Sequence, residues 1–97
     1  DMDNTRQFLG IVKDERLHII LPESESGEPA KLTEMSMAVG MEIKEMDIGE
    51  YEGKAIAVRG YGGSGWIYSA KVTDQAGPIV AALLAKAFGR VDLLNGA

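Results

Sequence analysis

The stretch GYGGSGWIYSAKV, Gly60–Val72, decides how this 97-residue chain is read, because it opens with a literal G-x-G-x-x-G. A dinucleotide loop of that form stands between a strand and a helix, so that the helix N-terminus meets the pyrophosphate. Here the residues after Gly65 are WIYSAKV, β-branched and aromatic, which is a second strand and not a helix. The nearest helix signal is Pro78, too far along to face the phosphates, and Asp74 follows Gly65 by only 9 positions where the fingerprint needs an acidic residue about 20 on. The stretch is therefore a β-hairpin. Gly62, Gly63 and Gly65 are expected to supply the positive φ angles of its turn.

Working outward, KAIAVRGY (Lys54–Tyr61) is the first strand of that hairpin, with Ile56 and Val58 on one face. In its partner, period two places Trp66, Tyr68, Ala70 and Val72 on one face and Ser69, Lys71 and Thr73 on the other, so Trp66 is expected in the core. Upstream, RQFLGIVK (Arg6–Lys13) is a strand in which Gly10 marks a bulge or bend. After a polar turn at Asp14 and Glu15, LHIIL (Leu17–Leu21) sets Leu17, Ile19 and Leu21 against His18 and Ile20, and Pro22 ends it. ESESGEP (Glu23–Pro29) is an acidic, breaker-rich loop. From Met35 to Ile43 every odd position is apolar, the alternation of a strand buried on one face. Met46–Gly53 is a connection with room for a helical turn. Pro78 begins a helix in which Ile79, Val80, Leu83, Leu84, Ala87 and Phe88 recur along one side, and Gly89 ends it.

The order is five strands, a helical connection before the fourth and a hairpin of the last two, an all-β fold with helical additions. YEGKAIAVRGYGGSGWIYSAKV, Tyr51–Val72, resembles small uncharacterised prokaryotic OB-fold domains, archaeal ones included, and the likeness runs over about Gly49–Phe88. It implies a five-stranded OB-fold-like β-barrel over a core of about 6–89, with a C-terminal α-helix outside the barrel and a weakly patterned tail at 90–97. OB-folds bind single-stranded nucleic acid, oligosaccharides or other proteins. The resemblance thus implies a binding module without naming its ligand, and it carries no catalytic residue across.

Composition narrows the classes further. Ten Lys and Arg face fifteen Asp and Glu, a net charge of −5, whereas proteins that bind polyanions usually present a basic surface. There is no cysteine and a single histidine, His18, so thiolate metal sites and triads of the usual types cannot be assembled. Glu23, Glu25 and Glu28 lack the ligand spacing of a calcium loop, and nothing convergent accompanies Glu50 and Glu52. The expectation is a non-enzymatic domain with no cofactor and no metal. The longest apolar stretch, Ile79–Phe88, is far short of the roughly 20 residues that span a bilayer, so no membrane partner is expected. The chain begins at Asp1, which fits an excised domain or mature product, and the expected partner is another protein or other domains of a longer chain. Weak contact with nucleic acid is the alternative. For it the candidate surface is Arg59, Tyr61 and Lys71 on the hairpin, extended by Arg16, His18 and Lys31 on the second and third strands.

Overall fold

The computed structural model describes residues 4–34, 44–63 and 65–94. The methionine-rich stripe at 35–43 lies outside the described residues. Five strands, β1 (Arg6–Lys13), β2 (Arg16–Leu21), β3 (Lys31–Leu32), β4 (Ala55–Gly62) and β5 (Trp66–Ala76), are followed by helix α1 (Pro78–Ala87). They form one mixed sheet in the order β2-β1-β4-β5-β3, antiparallel except for the β3–β5 pair. The sheet curls into a half-barrel. A single antiparallel bridge, Leu17 with Ala30 (N–H···O 3.0 and 2.8 Å), stitches β2 to the residue that precedes β3.

Alternation along the strands divides the buried residues into two layers. Phe8, Val12, Leu17, Ile19, Ile56, Val58 and Ile67 fill the concave side together with Leu32 and Ile48. Ile11, Ile20 and Ala55 point to the convex side, where Ala81 and Ala85 of α1 cover them with Leu93. The helix therefore docks mainly through its small residues, and of its expected apolar side Leu84 packs partly buried against them. Ile79 and Leu83, expected on its buried side, are 78% and 62% exposed, and Val80 and Phe88 are exposed as well. Alanines let the helix backbone approach the sheet closely, which swings the larger side chains outward. The helix ends in a Schellman motif, with Gly89 N–H donating to Lys86 O (3.3 Å) and Arg90 N–H to Ala85 O (2.6 Å). Residues 90–94, from sequence the start of a weakly patterned tail, turn back as a short 3-10 helix at Val91–Leu93 and bury Leu93.

Three bulges adjust the ladders. At Leu9/Gly10 the extra residue is on β2, so Leu21 comes to lie opposite Leu9 and is exposed instead of joining Leu17 and Ile19 inside. The other two fall between β4 and β5, and one of them shapes the candidate site.

The β1–β2 turn is a two-residue connection in which Asp14 (φ 56°) and Glu15 (φ 62°) both adopt the left-handed conformation. Such turns favour Asn-Gly or Asp-Gly, so Asp14 suits the first position and Glu15 is the costly residue. The Glu52 carboxylate offsets the cost by accepting from Asp14 N–H (2.7 Å) and Glu15 N–H (3.1 Å). Glu52 thus has a structural role that its spacing from Glu50 does not reveal. Substituting Glu15→Gly should raise stability by about 1 kcal/mol, because glycine takes a positive φ without the Cβ clash. An unchanged or lower urea midpoint would count against this account of the turn.

Candidate ligand-binding face

The glycine stretch connects strand to strand, and what faces it is acidic. Gly62 (φ 112°) and Gly65 (φ 93°) hold the positive angles of the turn. Gly63 does not, contrary to expectation; the Glu25 carboxylate packs where its Cβ would stand, so its smallness serves close approach. Arg6 pins this arrangement, donating to Glu25 Oε2 (2.9 Å) and to the Gly62 carbonyl (3.0 Å). Glu28 lies beside Gly65. A loop flanked by two carboxylates and followed by a strand offers phosphate neither a helix dipole nor a field of the right sign.

Along the convex face, Arg59 pairs with Lys71 and Tyr61 with Tyr68. Between those pairs β4 has one residue, Gly60, and β5 has two, Ser69 and Ala70. The extra residue, Ser69, sits at φ 53°. Thr33, buried just beyond β3, satisfies the displaced amides: Oγ1 accepts from Ser69 N–H (3.3 Å) and its carbonyl from Ala70 N–H (2.9 Å). Gly60 leaves room for the bulge, since a Cβ there would lie 2.6 Å from Ile67 Cγ2.

This bulge corrects the sequence reading of Trp66. Strict period two sends Trp66, Tyr68 and Ala70 to one face, but the extra residue reverses the phase at Ser69. Ile67 and Ala70 go inward, while Trp66 (37% exposed) and Tyr68 (42%) join Tyr61 (44%) outside. The Trp66 and Tyr68 rings stack with centroids 6.1 Å apart and planes 13° apart, and Lys31 Nζ lies 5.3 Å from the centre of the indole. The result is a strip across β3, β4 and β5 of three aromatic side chains with Lys31, Arg59 and Lys71. Among the described residues no carboxylate lies within ion-pair distance of these three cations. Arg59 donates one hydrogen bond, to the Thr5 hydroxyl (3.0 Å).

Of the candidate surface residues, the structure gathers Lys31, Arg59, Tyr61 and Lys71 and sets Arg16 and His18 apart. Gln7 pairs with Arg59 while Lys13 pairs with Arg16, which separates the two groups by about 20 Å along β1. Helix α1 covers Ile11 and Ala55 between them. Arg16 pairs with Glu45 at 3.6 Å. His18 is half-buried and its Nε2–H donates to the Lys13 carbonyl (3.2 Å), which places it in a structural setting beside the returning C-terminal turn. Lys13 Nζ reaches the Asp92 carbonyl there (2.7 Å). Sequence alternation found Arg59, Tyr61 and Lys71, and Lys31 came from the OB-fold resemblance; Trp66 and Tyr68 were missed because a bulge has no signature in the alternation itself.

Burial holds the His18 imidazole below its ordinary value, the Lys13 carbonyl and Asp92 oppose that, and the Arg90 and Lys13 charges add to it. The unfolded chain therefore binds the proton first, so the stability from neutral His18 is intact above about pH 6.5 and declines as pH falls through the window below it. His18→Gln should flatten the loss of melting temperature between pH 7 and 5.5, and an equally steep loss would show that other groups carry it. At the bulge, Thr33→Val keeps shape but removes the acceptor for Ser69 N–H, and should cost about 1–2 kcal/mol in urea unfolding. A neutral Thr33→Val would mean that the hydroxyl does not hold the bulge.

Comparison of the chain with protein-family models, with curated proteins and with solved structures finds no match.

Proposed function

We propose that this domain is a non-catalytic binding module of the OB type that engages a partner protein through the convex face of β3, β4 and β5. The fold part of this reading is supported by strand order. β1 pairs with β2 and β4, β4 with β5, β5 with β3 in parallel, and the Leu17–Ala30 bridge brings β3 back toward β2. That cycle suits a five-stranded, partly open Greek-key barrel. The non-catalytic part rests on composition, with one histidine and no cysteine.

The observation that carries the binding reading is the exposed strip itself. Trp, Tyr and Arg are the residue types that dominate the energetics of protein interfaces, and here Trp66, Tyr68, Tyr61 and Arg59 share one face. Glu25 and Glu28 close one end of the strip, and the net charge of −5 opposes any long polyanion. A second reading, single-stranded nucleic acid, is favoured by the Trp66–Tyr68 stack and its attendant Lys31, because bases stack on such platforms at about 1–3 kcal/mol each.

The two readings separate in one titration. Trp66 is the only tryptophan and reports on the face directly. A mixed-sequence oligonucleotide should bind more weakly than roughly 10 µM at physiological salt, the range of nonspecific complexes. Submicromolar binding that falls steeply with salt, and is lost in an Arg59→Glu, Lys71→Glu double variant, would overturn the protein-interaction reading in favour of the second.

A further inference from the structure

The chemistry of the partner can be read from the succession of groups along β4, an inference that rests on the protein-binding reading above. Ala57, Arg59 and Tyr61 are successive outward residues of one strand, about 7 Å apart. Beside Ala57 a depression of about 140 Å³ opens between sheet and helix, walled by Leu9, Ala57, Ala76, Val80 and Leu84 with Asp74 on its rim. It exists because α1 touches the sheet through Ala81 and Ala85, and because residues 57 and 76 are alanines that leave the space beside them unfilled. Apolar cavities of about 150 Å³ take up benzene, so this one accommodates a single side chain of the size of Leu, Ile, Met or Phe.

One step along, Arg59 and Lys71 stand directly opposite each other. Like charges in cross-strand register repel, and among the described residues no carboxylate relieves them. A carboxylate placed between them turns that repulsion into two charge-assisted contacts. A further step along, Tyr61 and Tyr68 present flat apolar surface. Apolar pocket, paired cations and aromatic platform thus follow each other at the two-residue repeat that an extended peptide also has. Asp74, opposite Ala57, sets the polarity, since it repels an acidic residue at the pocket end.

We infer that this face takes an extended segment of a partner protein in which an apolar side chain fills the Ala57 pocket and an Asp or Glu two residues along pairs with Arg59 and Lys71. The test is panning of a random nonapeptide display library on the whole chain, followed by anisotropy titration of an enriched peptide and of its acid-to-Lys counterpart. Enriched sequences should carry an apolar residue two positions from an acidic one, and the Lys counterpart should bind about tenfold more weakly. Arg59→Glu with Lys71→Glu should abolish the preference for the acid. Ala57→Leu, which fills the pocket, should abolish the preference for the apolar residue while leaving that for the acid. Val80→Glu on the exposed flank of α1 serves the same purpose if Ala57→Leu does not fold. Enriched peptides that lack the pattern, or that bind unchanged after the acid-to-Lys exchange, overturn the inference and leave the protein-binding reading standing. No enrichment over bare support, together with submicromolar oligonucleotide binding, overturns both.

Discussion

Thr33 is the one buried polar residue among those described, and the outer face of the sheet depends on the hydrogen bonds it makes. Its N–H donates to the Ile67 carbonyl (2.9 Å), while its hydroxyl and carbonyl receive the Ser69 and Ala70 amides. Those bonds let β5 carry one residue more than β4 beside Gly60. A buried bulge without them would leave two amides unpaired, at a cost comparable to a lost hydrogen bond for each. With them, the strand changes phase and delivers Trp66 and Tyr68 to solvent while Ile67 and Ala70 stay in the core. The aromatic strip is in this sense a product of Thr33, the residue that follows the two-residue strand β3.

The electrostatics follow from the same placement. The acidic residues of this negatively charged chain are not spread evenly: Asp14, Glu15 and Glu52 gather at the β1–β2 turn, and Glu25 and Glu28 at the glycine turn. Both groups have structural work, holding left-handed amides in one case and packing against glycines, with Arg6 as counter-ion, in the other. The convex face of the hairpin is left locally cationic. Local sign outweighs net charge for a ligand that spans a few residues, because the Debye length is about 8 Å at physiological salt. A long polyanion meets the acidic ends as well.

Helix α1 shows how small residues decide a surface. With Ala81 and Ala85 as its buried residues it leaves Ile79 and Leu83 in water and a depression at its edge. The Schellman end and the short turn after it bring Leu93 under the helix, so that the second buried layer closes. Among the described residues no helix is long and apolar enough to cross a membrane.

The elements were legible in the sequence wherever one local rule acted alone. The hairpin, the approximate boundaries of β1, β4 and α1 and the inward placement of Ile56 and Val58 follow from alternation, turn residues and caps, which are properties of neighbours in the chain. So do the outward positions of Arg59, Tyr61 and Lys71. Tertiary structure decided the rest, because partners far apart in sequence chose between locally equivalent options. Thr33 reversed the phase of β5 and moved Trp66 from the core to the surface. Contact with Ile11 and Ala55 selected the alanine stripe of α1 over Ile79 and Leu83. Strand register along β1 and the docked helix separated Arg16 and His18 from Arg59 and Lys71, since alternation says nothing about which residues of other strands lie alongside. Periodicity specifies two faces; only long-range packing decides which face is inside and where it changes over.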